Sequence, residues 1–319
     1  MAIDLSGRIV AVTGASSGIG EATALACAGA GAAVALAARR GERIEALAGR
    51  IVADGGRALA VSADVGEEAQ AHAFIERAQA EFGRLDVLVN NAGVMLLGPL
   101  TNASTEDWRR MIHVNVFGVL YCTHAALPLM AAQGSGHIVN VSSVAGRIAR
   151  LGSGVYNLTK FGVGAFSESL RQEAVPLGVR VTLVEPGAVA TELPGHNRPE
   201  ILEQMAKRFR GVTPLAAEDI ANAVLYAIGQ PPNVSVNELL NPPRRAGRLG
   251  PSRVAREGSP RGRRLGGGST PSESKRPGET VAPGGRSARC GDGRRWNRPP
   301  PPGRARARGR LSPRAARWR

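Results

Sequence analysis

Short apolar runs rich in β-branched residues alternate with longer segments of helical periodicity over the first 240 residues. This alternation is typical of βαβ units, in which helices cover a parallel sheet on both faces. We therefore predict an α/β fold with a single doubly wound, Rossmann-like parallel sheet. The predicted strands span residues 9–13, 33–38, 58–62, 87–90, 137–142, 179–184 and 235–240, and the predicted helices span 18–30, 42–54, 67–82, 105–132, 155–177, 200–209 and 216–228.

Charge and composition divide the 319-residue chain at about residue 240. Of the formal net charge of +15, residues 1–240 contribute −3 and residues 241–319 contribute +18. The second segment has 14 glycines and 12 prolines and cannot bury enough apolar surface to offset chain entropy. We predict one domain over 1–240 and a disordered Arg/Pro/Gly-rich tail over 241–319. The abrupt change also suggests a shifted reading frame, because Arg, Pro, Gly and Ala have GC-rich codons.

Residue types give little support to a metal centre, a disulfide framework or a membrane span. The three cysteines, Cys27, Cys122 and Cys290, form no CxxC pair, and the five histidines lack metal-ligand spacing. No uninterrupted apolar stretch reaches 18 residues, and the first residues lack the basic and apolar regions of a secretory signal. We expect no metal site and a cytoplasmic location.

A glycine-rich turn, TGASSGIG at residues 13–20, joins the first predicted strand to the first predicted helix. Glycine lets the backbone approach a pyrophosphate closely, and the helix N-terminus supplies N–H donors and a positive dipole end. The turn therefore predicts a phosphate-binding site. A glycine-rich turn by itself is weak evidence, since many are only tight turns.

Two arginines, Arg39 and Arg40, follow the second predicted strand, where an acidic residue would favour NAD. A guanidinium can stack on adenine and hold a 2′-phosphate, so this end favours NADP. Alternatively, Arg39 and Arg40 are only solvent-exposed residues at the start of a helix. Positive charge at a helix N-terminus is unfavourable because it opposes the helix dipole.

Tyr156 and Lys160 are four residues apart on a predicted helix and so share a face. Ser143 lies 13 residues before Tyr156, just after an apolar strand. Unperturbed tyrosine, with a pKa of about 10, is a poor proton carrier near neutral pH. A nearby ammonium favours the phenolate, so we expect Lys160 to lower the pKa of Tyr156.

These segments together resemble the short-chain dehydrogenase/reductase family. The match covers about residues 5–240 and is carried by TGASSGIG at 13–20, Asp64-Val65, Asn90-Asn91-Ala92-Gly93, Asn115, Ser143, Tyr156-x-x-x-Lys160, and Pro186-Gly187 with Thr191. The segments AARR and VEPGAVATEL are similar to NADP-dependent reductases of the 3-hydroxy-acid and clavaldehyde type. The resemblance implies hydride transfer between NADP(H) and a carbonyl or secondary alcohol of a small molecule.

The resemblance also implies roles for individual residues. Tyr156 is the acid–base, Ser143 orients the substrate oxygen with Ser142 as its competitor, and Lys160 tunes Tyr156 and binds the ribose. Asn115 interrupts its helix and holds a water that links the lysine to solvent. The implied cofactor contacts are Gly14, Ser16, Ser17, Gly18, Ile19, Gly20, Arg39, Arg40, Asp64, Val65, Asn91, Ala92, Gly93, Tyr156, Lys160, Pro186, Gly187, Val189 and Thr191.

Substrate identity is the least readable property of the chain. Residues 192–213 form a polar stretch that in the family covers the substrate. Leu96, Leu97, Arg147, Ile148, Val155, Leu193 and His196 are candidate lining residues, although the apolar ones could equally be ordinary core.

Two other functions compete with this interpretation. A catalytically silent, NADP-sensing binding protein would keep the cofactor residues, and the complete set of Asn115, Ser143, Tyr156 and Lys160 argues against it. A nucleic-acid-binding tail would need more than its two aromatics and its charge, so we expect at most non-specific binding there. The family pairs its two long helices into dimers or tetramers, which predicts a homo-oligomer through 105–132 and 155–177.

Overall fold

Seven parallel strands form one sheet in the computed structural model, which describes residues 3–244. They are β1 (Ile9–Thr13), β2 (Ala33–Ala38), β3 (Arg57–Ser62), β4 (Val87–Asn90), β5 (Gly136–Val141), β6 (Val179–Pro186) and β7 (Glu238–Asn241). The order across the sheet is β3-β2-β1-β4-β5-β6-β7, with every neighbouring pair parallel. The predicted doubly wound fold is confirmed.

Helices cover both faces of this sheet, and β1 shows why. Ile9 and Ala11 point to one face, whereas Val10 and Val12 point to the other, and all four are buried. The first face is covered by α3 (Glu68–Phe82), α5 (Gly118–Gln133) and α6 (Gly154–Ala174), and the second by α1 (Gly18–Gly29), α2 (Gly41–Ala53) and α8 (Ala217–Ile228). The remaining helices are α4 (Thr105–Ile112) and α7 (Pro199–Arg208).

The long helical segment predicted at 105–132 is interrupted. A π-helical turn, His113–Phe117, separates α4 from α5. By length and composition the whole run Thr105–Gln133 could cross a membrane, with a mean hydropathy of 1.4 over 18 residues. Its Cys122, Ala126 and Met130 are instead packed in the core against the sheet.

The last strand changes the predicted domain boundary. β7 continues to Asn241, whose carbonyl oxygen accepts the Gly187 N–H at 2.9 Å. The boundary predicted at 240 therefore falls inside a strand, and Asn241 belongs to the folded domain. The tail predicted beyond it lies, from residue 245 onward, outside the described residues.

Candidate active site

A cavity of about 540 Å³ lies at the carboxyl ends of the strands, where the strand order reverses on either side of β1. In open α/β sheets this crevice is where ligands bind. All of the predicted cofactor and catalytic residues line it except Gly20 and Asn115. The cavity brings together Gly14, Ser16, Ser17, Gly18, Ile19, Arg39, Arg40, Asp64, Val65, Asn91, Ala92, Gly93, Ser143, Tyr156, Lys160, Pro186, Gly187, Val189 and Thr191.

Close backbone approaches explain two glycines of the turn. Gly14 has a φ of +67°, and a Cβ there would lie 2.8 Å from the Cα of Ala92. A Cβ on Gly20 would collide with the Gly14 carbonyl oxygen and lie 2.5 Å from Asn91 Nδ2. Gly20 therefore packs behind the turn and does not line the cavity, and its contact with the cofactor stays a prediction.

Arg40 ties the glycine turn to the start of α2. Its guanidinium donates to Ser16 Oγ at 2.9 Å and to Ser17 Oγ at 2.7 Å. It also forms an ion pair of 2.7 Å with Glu192, which pairs with Arg43 at 2.8 Å as well. Hydrogen bonds from Arg43 and Arg40 lower the pKa of Glu192 to about 2, so this residue is a carboxylate at neutral pH.

The cavity fits NADP at the end of β2. Arg39 pairs with Asp64 at 3.7 Å, and both line the cavity beside Arg40. Two guanidinium groups and the hydroxyls of Ser16 and Ser17 converge there, which is the donor set that a 2′-phosphate requires. The glycine turn supplies the uncovered backbone that a pyrophosphate needs.

Ser143 and Tyr156 meet inside the cavity with Lys160 beneath them. Tyr156 and Lys160, one turn apart on α6, are only 7% and 6% exposed. Ser143 Oγ donates to the Pro186 carbonyl oxygen at 3.4 Å and accepts the Ala145 N–H at 3.1 Å, and it lies close enough to Tyr156 to affect the pKa of that residue. Ser142 Oγ instead donates to the Lys160 carbonyl oxygen at 3.0 Å, so Ser143 is the serine beside Tyr156.

Burial sets the pKa values of this pair. It raises the pKa of Tyr156 to about 12, although the nearby Ser143 hydroxyl opposes the rise. It lowers the pKa of Lys160 to about 8. Lys160 Nζ donates to the Val141 carbonyl oxygen at 3.0 Å and lies 5.9 Å from the centre of the Tyr156 ring. The pKa of Tyr156 is thus raised instead of lowered as expected, because desolvation by burial outweighs the opposing effect of Ser143.

Asn115 lies in the π-helical turn and is 1% exposed. Its Oδ1 accepts the Val94 N–H at 2.8 Å, and its Nδ2 donates to the Val94 carbonyl oxygen at 2.9 Å and to Thr159 Oγ1 at 3.2 Å. The interruption of the helix occurs where the resemblance implied it. The side chain itself is a positioning group that joins the loop after β4 to α6, behind the cavity wall.

The predicted substrate-lining residues divide into two groups. Leu97, Ile148, Leu193 and His196 line the cavity. Three others do not: Leu96 and Val155 pack against the apolar cluster of Met111 and Val114, and Arg147 pairs with Glu185 at 2.5 Å and with Glu238. Arg147 thus joins the loop after β5 to β6 and β7 instead of lining the cavity as predicted.

Two asparagines that the sequence analysis missed hold the walls of the cavity. Asn157 donates to the carbonyl oxygens of Ala145 and Ile148 at 2.6 and 2.9 Å. Asn197 accepts the Leu97 N–H at 2.6 Å and donates to the Met95 carbonyl oxygen at 2.9 Å. Both side chains are buried amides. In the sequence, only the position of Asn157 directly after Tyr156 could have indicated that it belongs to the site.

Comparison with known proteins agrees with this geometry. Residues 8–201 match the family model for short chain dehydrogenases. An uncharacterized oxidoreductase of Staphylococcus saprophyticus is 40% identical over 236 residues, which cover 73% of this chain and 94% of the relative. A glycine betaine reductase of Emericella nidulans is 41% identical over 240 residues, which cover 75% of this chain but 19% of that protein. The closed form of a serine dehydrogenase complexed with NADP+ superposes with a TM-score of 0.68 at 35% identity, covering 73% of this chain and 94% of that one.

The chain therefore belongs to the short-chain dehydrogenase family, as the sequence motifs predicted, and is an oxidoreductase of that family. The fold and the cavity are those of a nicotinamide-cofactor enzyme.

Proposed function

We propose that the protein transfers a hydride between NADP(H) and a carbonyl or secondary alcohol of a small molecule. The observation that carries the proposal is the convergence of Ser143, Tyr156 and Lys160 in one cavity with the glycine turn. NADPH, when bound, supplies the hydride to the carbonyl carbon. A binding protein that only senses NADP would have no need for a buried tyrosine next to a serine and a buried lysine.

The side chains divide the remaining work. Ser143 orients the carbonyl oxygen, and Tyr156 donates its phenolic proton to that oxygen as negative charge develops there. A pKa of about 12 keeps Tyr156 protonated at neutral pH, which suits the reducing direction. The Lys160 ammonium stabilises the phenolate that forms, because the two groups are close and shielded from water.

The preference for NADP over NAD is supported by charge at the end of β2. Arg39 and Arg40 line the cavity there, and Arg40 is already held against the two serine hydroxyls of the glycine turn. The nearby acids, Asp64 and Glu192, are both paired with these arginines.

We propose a homo-oligomer in the cytoplasm. The helices that the family pairs are here α5, with α4 before it, and α6. On α6 the side chains of Leu158 and Phe161 are 63% and 44% exposed. Exposed large apolar side chains on one helix are typical of a surface that pairs with another copy.

A screen of small aldehydes and ketones tests the reaction, with NADPH consumption followed by absorbance. Tyr156→Phe keeps the ring and removes the proton carrier, so we expect at least a hundredfold lower kcat with NADPH binding unchanged. Tyr226→Phe is the matched control, because Tyr226 is half-exposed and lies outside the cavity lining. Near wild-type turnover by Tyr156→Phe would show that another group is the acid.

A further inference from the structure

Two ion pairs bridge the halves of the sheet at the cofactor end of the cavity. Glu192 lies after β6, whereas Arg40 and Arg43 lie at the start of α2, after β2. Three strands, β1, β4 and β5, separate β2 from β6 in the sheet. One carboxylate oxygen of Glu192 pairs with Arg40 at 2.7 Å, and the other pairs with Arg43 at 2.8 Å. This single carboxylate thus holds the segment after β6 to the side of the cavity that contains the glycine turn.

The guanidinium of Arg40 is shared between Glu192 and the proposed 2′-phosphate site. Its Nε and Nη2 atoms donate to the hydroxyls of Ser16 and Ser17, and its Nη1 atom donates to Glu192. All three nitrogen atoms are therefore engaged by neighbouring side chains. A phosphate monoester carries between about 1.5 and 2 negative charges at neutral pH. A 2′-phosphate at this guanidinium would repel the Glu192 carboxylate and compete with it for the same N–H donors.

Glu192 also begins the part of the chain that leads to the substrate end. The short helical turn Leu193–His196 follows it directly, and both of these end residues line the cavity. Asn197 then joins the chain to the loop after β4. Within residues 3–244, Glu192 is the one residue of 192–196 whose side chain forms a hydrogen bond or ion pair with another segment. Breaking its ion pairs would therefore release the turn as far as Asn197.

We propose that Glu192 is a specificity-determining residue that links the two ends of the cavity. Its carboxylate and the 2′-phosphate of NADP(H) compete for Arg40, and a cofactor with that phosphate thereby frees the turn Leu193–His196. NAD(H), which has a hydroxyl at this position, leaves the ion pairs in place. This inference rests on the proposed preference for NADP.

The strength of the contact suits this exchange of partners. The side chains of Glu192, Arg40 and Arg43 are each about half-exposed, and exposed ion pairs contribute little to stability one by one. A phosphate with more charge than a carboxylate can therefore displace Glu192 at small cost. Because coupling between two sites is reciprocal, any change that strengthens the hold on Glu192 weakens binding of the 2′-phosphate.

Hydrogen–deuterium exchange of the backbone amides of residues 193–197 tests the link. The probes are adenosine 2′,5′-bisphosphate and adenosine 5′-monophosphate, each saturating and at equal ionic strength. They differ only in the 2′-phosphate, and neither has a nicotinamide that could contact the substrate end. We expect the bisphosphate to speed exchange about threefold and the monophosphate to leave it unchanged.

Two variants complete the test. In Glu192→Gln, exchange of these amides should be fast without either compound, and the bisphosphate should not speed it further. Glu200→Gln is the matched control and should behave as the wild type, because Glu200 is exposed on α7 and lies outside the cavity lining. Slow exchange in Glu192→Gln would overturn the proposal, since the carboxylate would then not hold the turn.

Calorimetric titration of both compounds separates this inference from the preference for NADP. If the bisphosphate binds more tightly than the monophosphate but leaves exchange unchanged, the link through Glu192 is overturned and the preference stands. Equal acceleration by both compounds would also overturn the link, because the 2′-phosphate would not be its cause. If the 2′-phosphate adds no affinity, the role of Arg40 and the preference for NADP are refuted, and the link is refuted with them.

Discussion

We expect the buried lysine beside Tyr156 to make the proposed reduction sensitive to alkaline pH. Burial lowers the pKa of Lys160 to about 8, so its ammonium is present below that pH and is lost as the pH rises through it. We expect kcat/KM for carbonyl reduction to be level up to about pH 8 and to fall above it. A pH profile measured with saturating NADPH checks this. In Lys160→Arg, whose charge persists, the decline should move to higher pH, and an unchanged decline would assign it to another group.

Glu192 forms an ion pair with Arg40, whose guanidinium we propose binds the 2′-phosphate of NADP. The ion pairs of Glu192 with Arg40 and Arg43 partly neutralise the positive end of the cavity. Glu192→Gln should therefore lower the Kd for NADPH several-fold and leave that for NADH unchanged, as measured by cofactor fluorescence. Arg40→Ala should raise the Kd for NADPH about tenfold. Weaker NADPH binding by Glu192→Gln would mean that the carboxylate holds the arginines in place.

At the scale of residues, the sequence predicts which side chains come together when their positions follow from spacing along a single helix or strand. Tyr156 and Lys160 share a helix face, so their convergence follows from the sequence. The pKa of Tyr156 does not, because it depends on burial that only the folded chain creates. Asn157 and Asn197 act through loop carbonyl oxygens, which have no periodic signature in the sequence.

At the scale of the strands, the buried side chain of His137 on β5 gains protons more readily when the chain unfolds, and its partner is Thr182 on β6. Thr182 Oγ1 donates to the Val236 carbonyl oxygen at 2.6 Å, so it accepts the Nε2–H of His137 at 2.7 Å. The other ring nitrogen, Nδ1, is buried and has no hydrogen-bond partner among the described residues. Desolvation, together with the Arg180 charge, lowers the pKa of His137 to about 3.

Acid should therefore destabilise the sheet. The unfolded chain binds a proton at His137 below about pH 6.5 and the folded chain does not, so stability falls as the pH falls through that range. We expect a loss of about 2 kcal/mol between pH 7 and pH 5 from this group. Urea unfolding at both pH values checks it. His137→Gln, which does not titrate, should lose correspondingly less, and equal losses would contradict the assignment.

Element types were predictable from sequence, while their ends and interruptions were less so. The apolar strands are buried on both faces and carry a strong signal. β7 differs because its four residues are half-buried or exposed, so the pattern placed it at 235–240 instead of Glu238–Asn241. The π-helical turn at Asn115 depends on tertiary bonds to Val94 and Thr159, which helical periodicity does not report.

At the scale of the whole molecule, the basic segment should be separable from catalysis. A chain ending at Arg244 retains the seven strands of the described part of the chain and the cavity-lining residues named above. We expect it to keep NADPH binding and turnover and to lose any salt-sensitive binding to DNA that the full chain shows. Activity assays and DNA titrations at two salt concentrations check both statements. Loss of turnover without loss of solubility would show that the segment contributes to the enzyme.

The segment that we expect to cover the substrate is held to the rest of the domain at both of its ends. Asn197 holds the start to the loop after β4, and Leu215 holds the finish through backbone bonds to Ala188 and Ala190 of 2.9 and 2.8 Å. Residues 198–214, between these two attachments, contribute Met205, Phe209 and Val212 to the cavity lining and no residue to the sheet or the glycine turn. We therefore expect that replacing this stretch with that of another family member would change which substrates the protein accepts and would leave its cofactor binding intact.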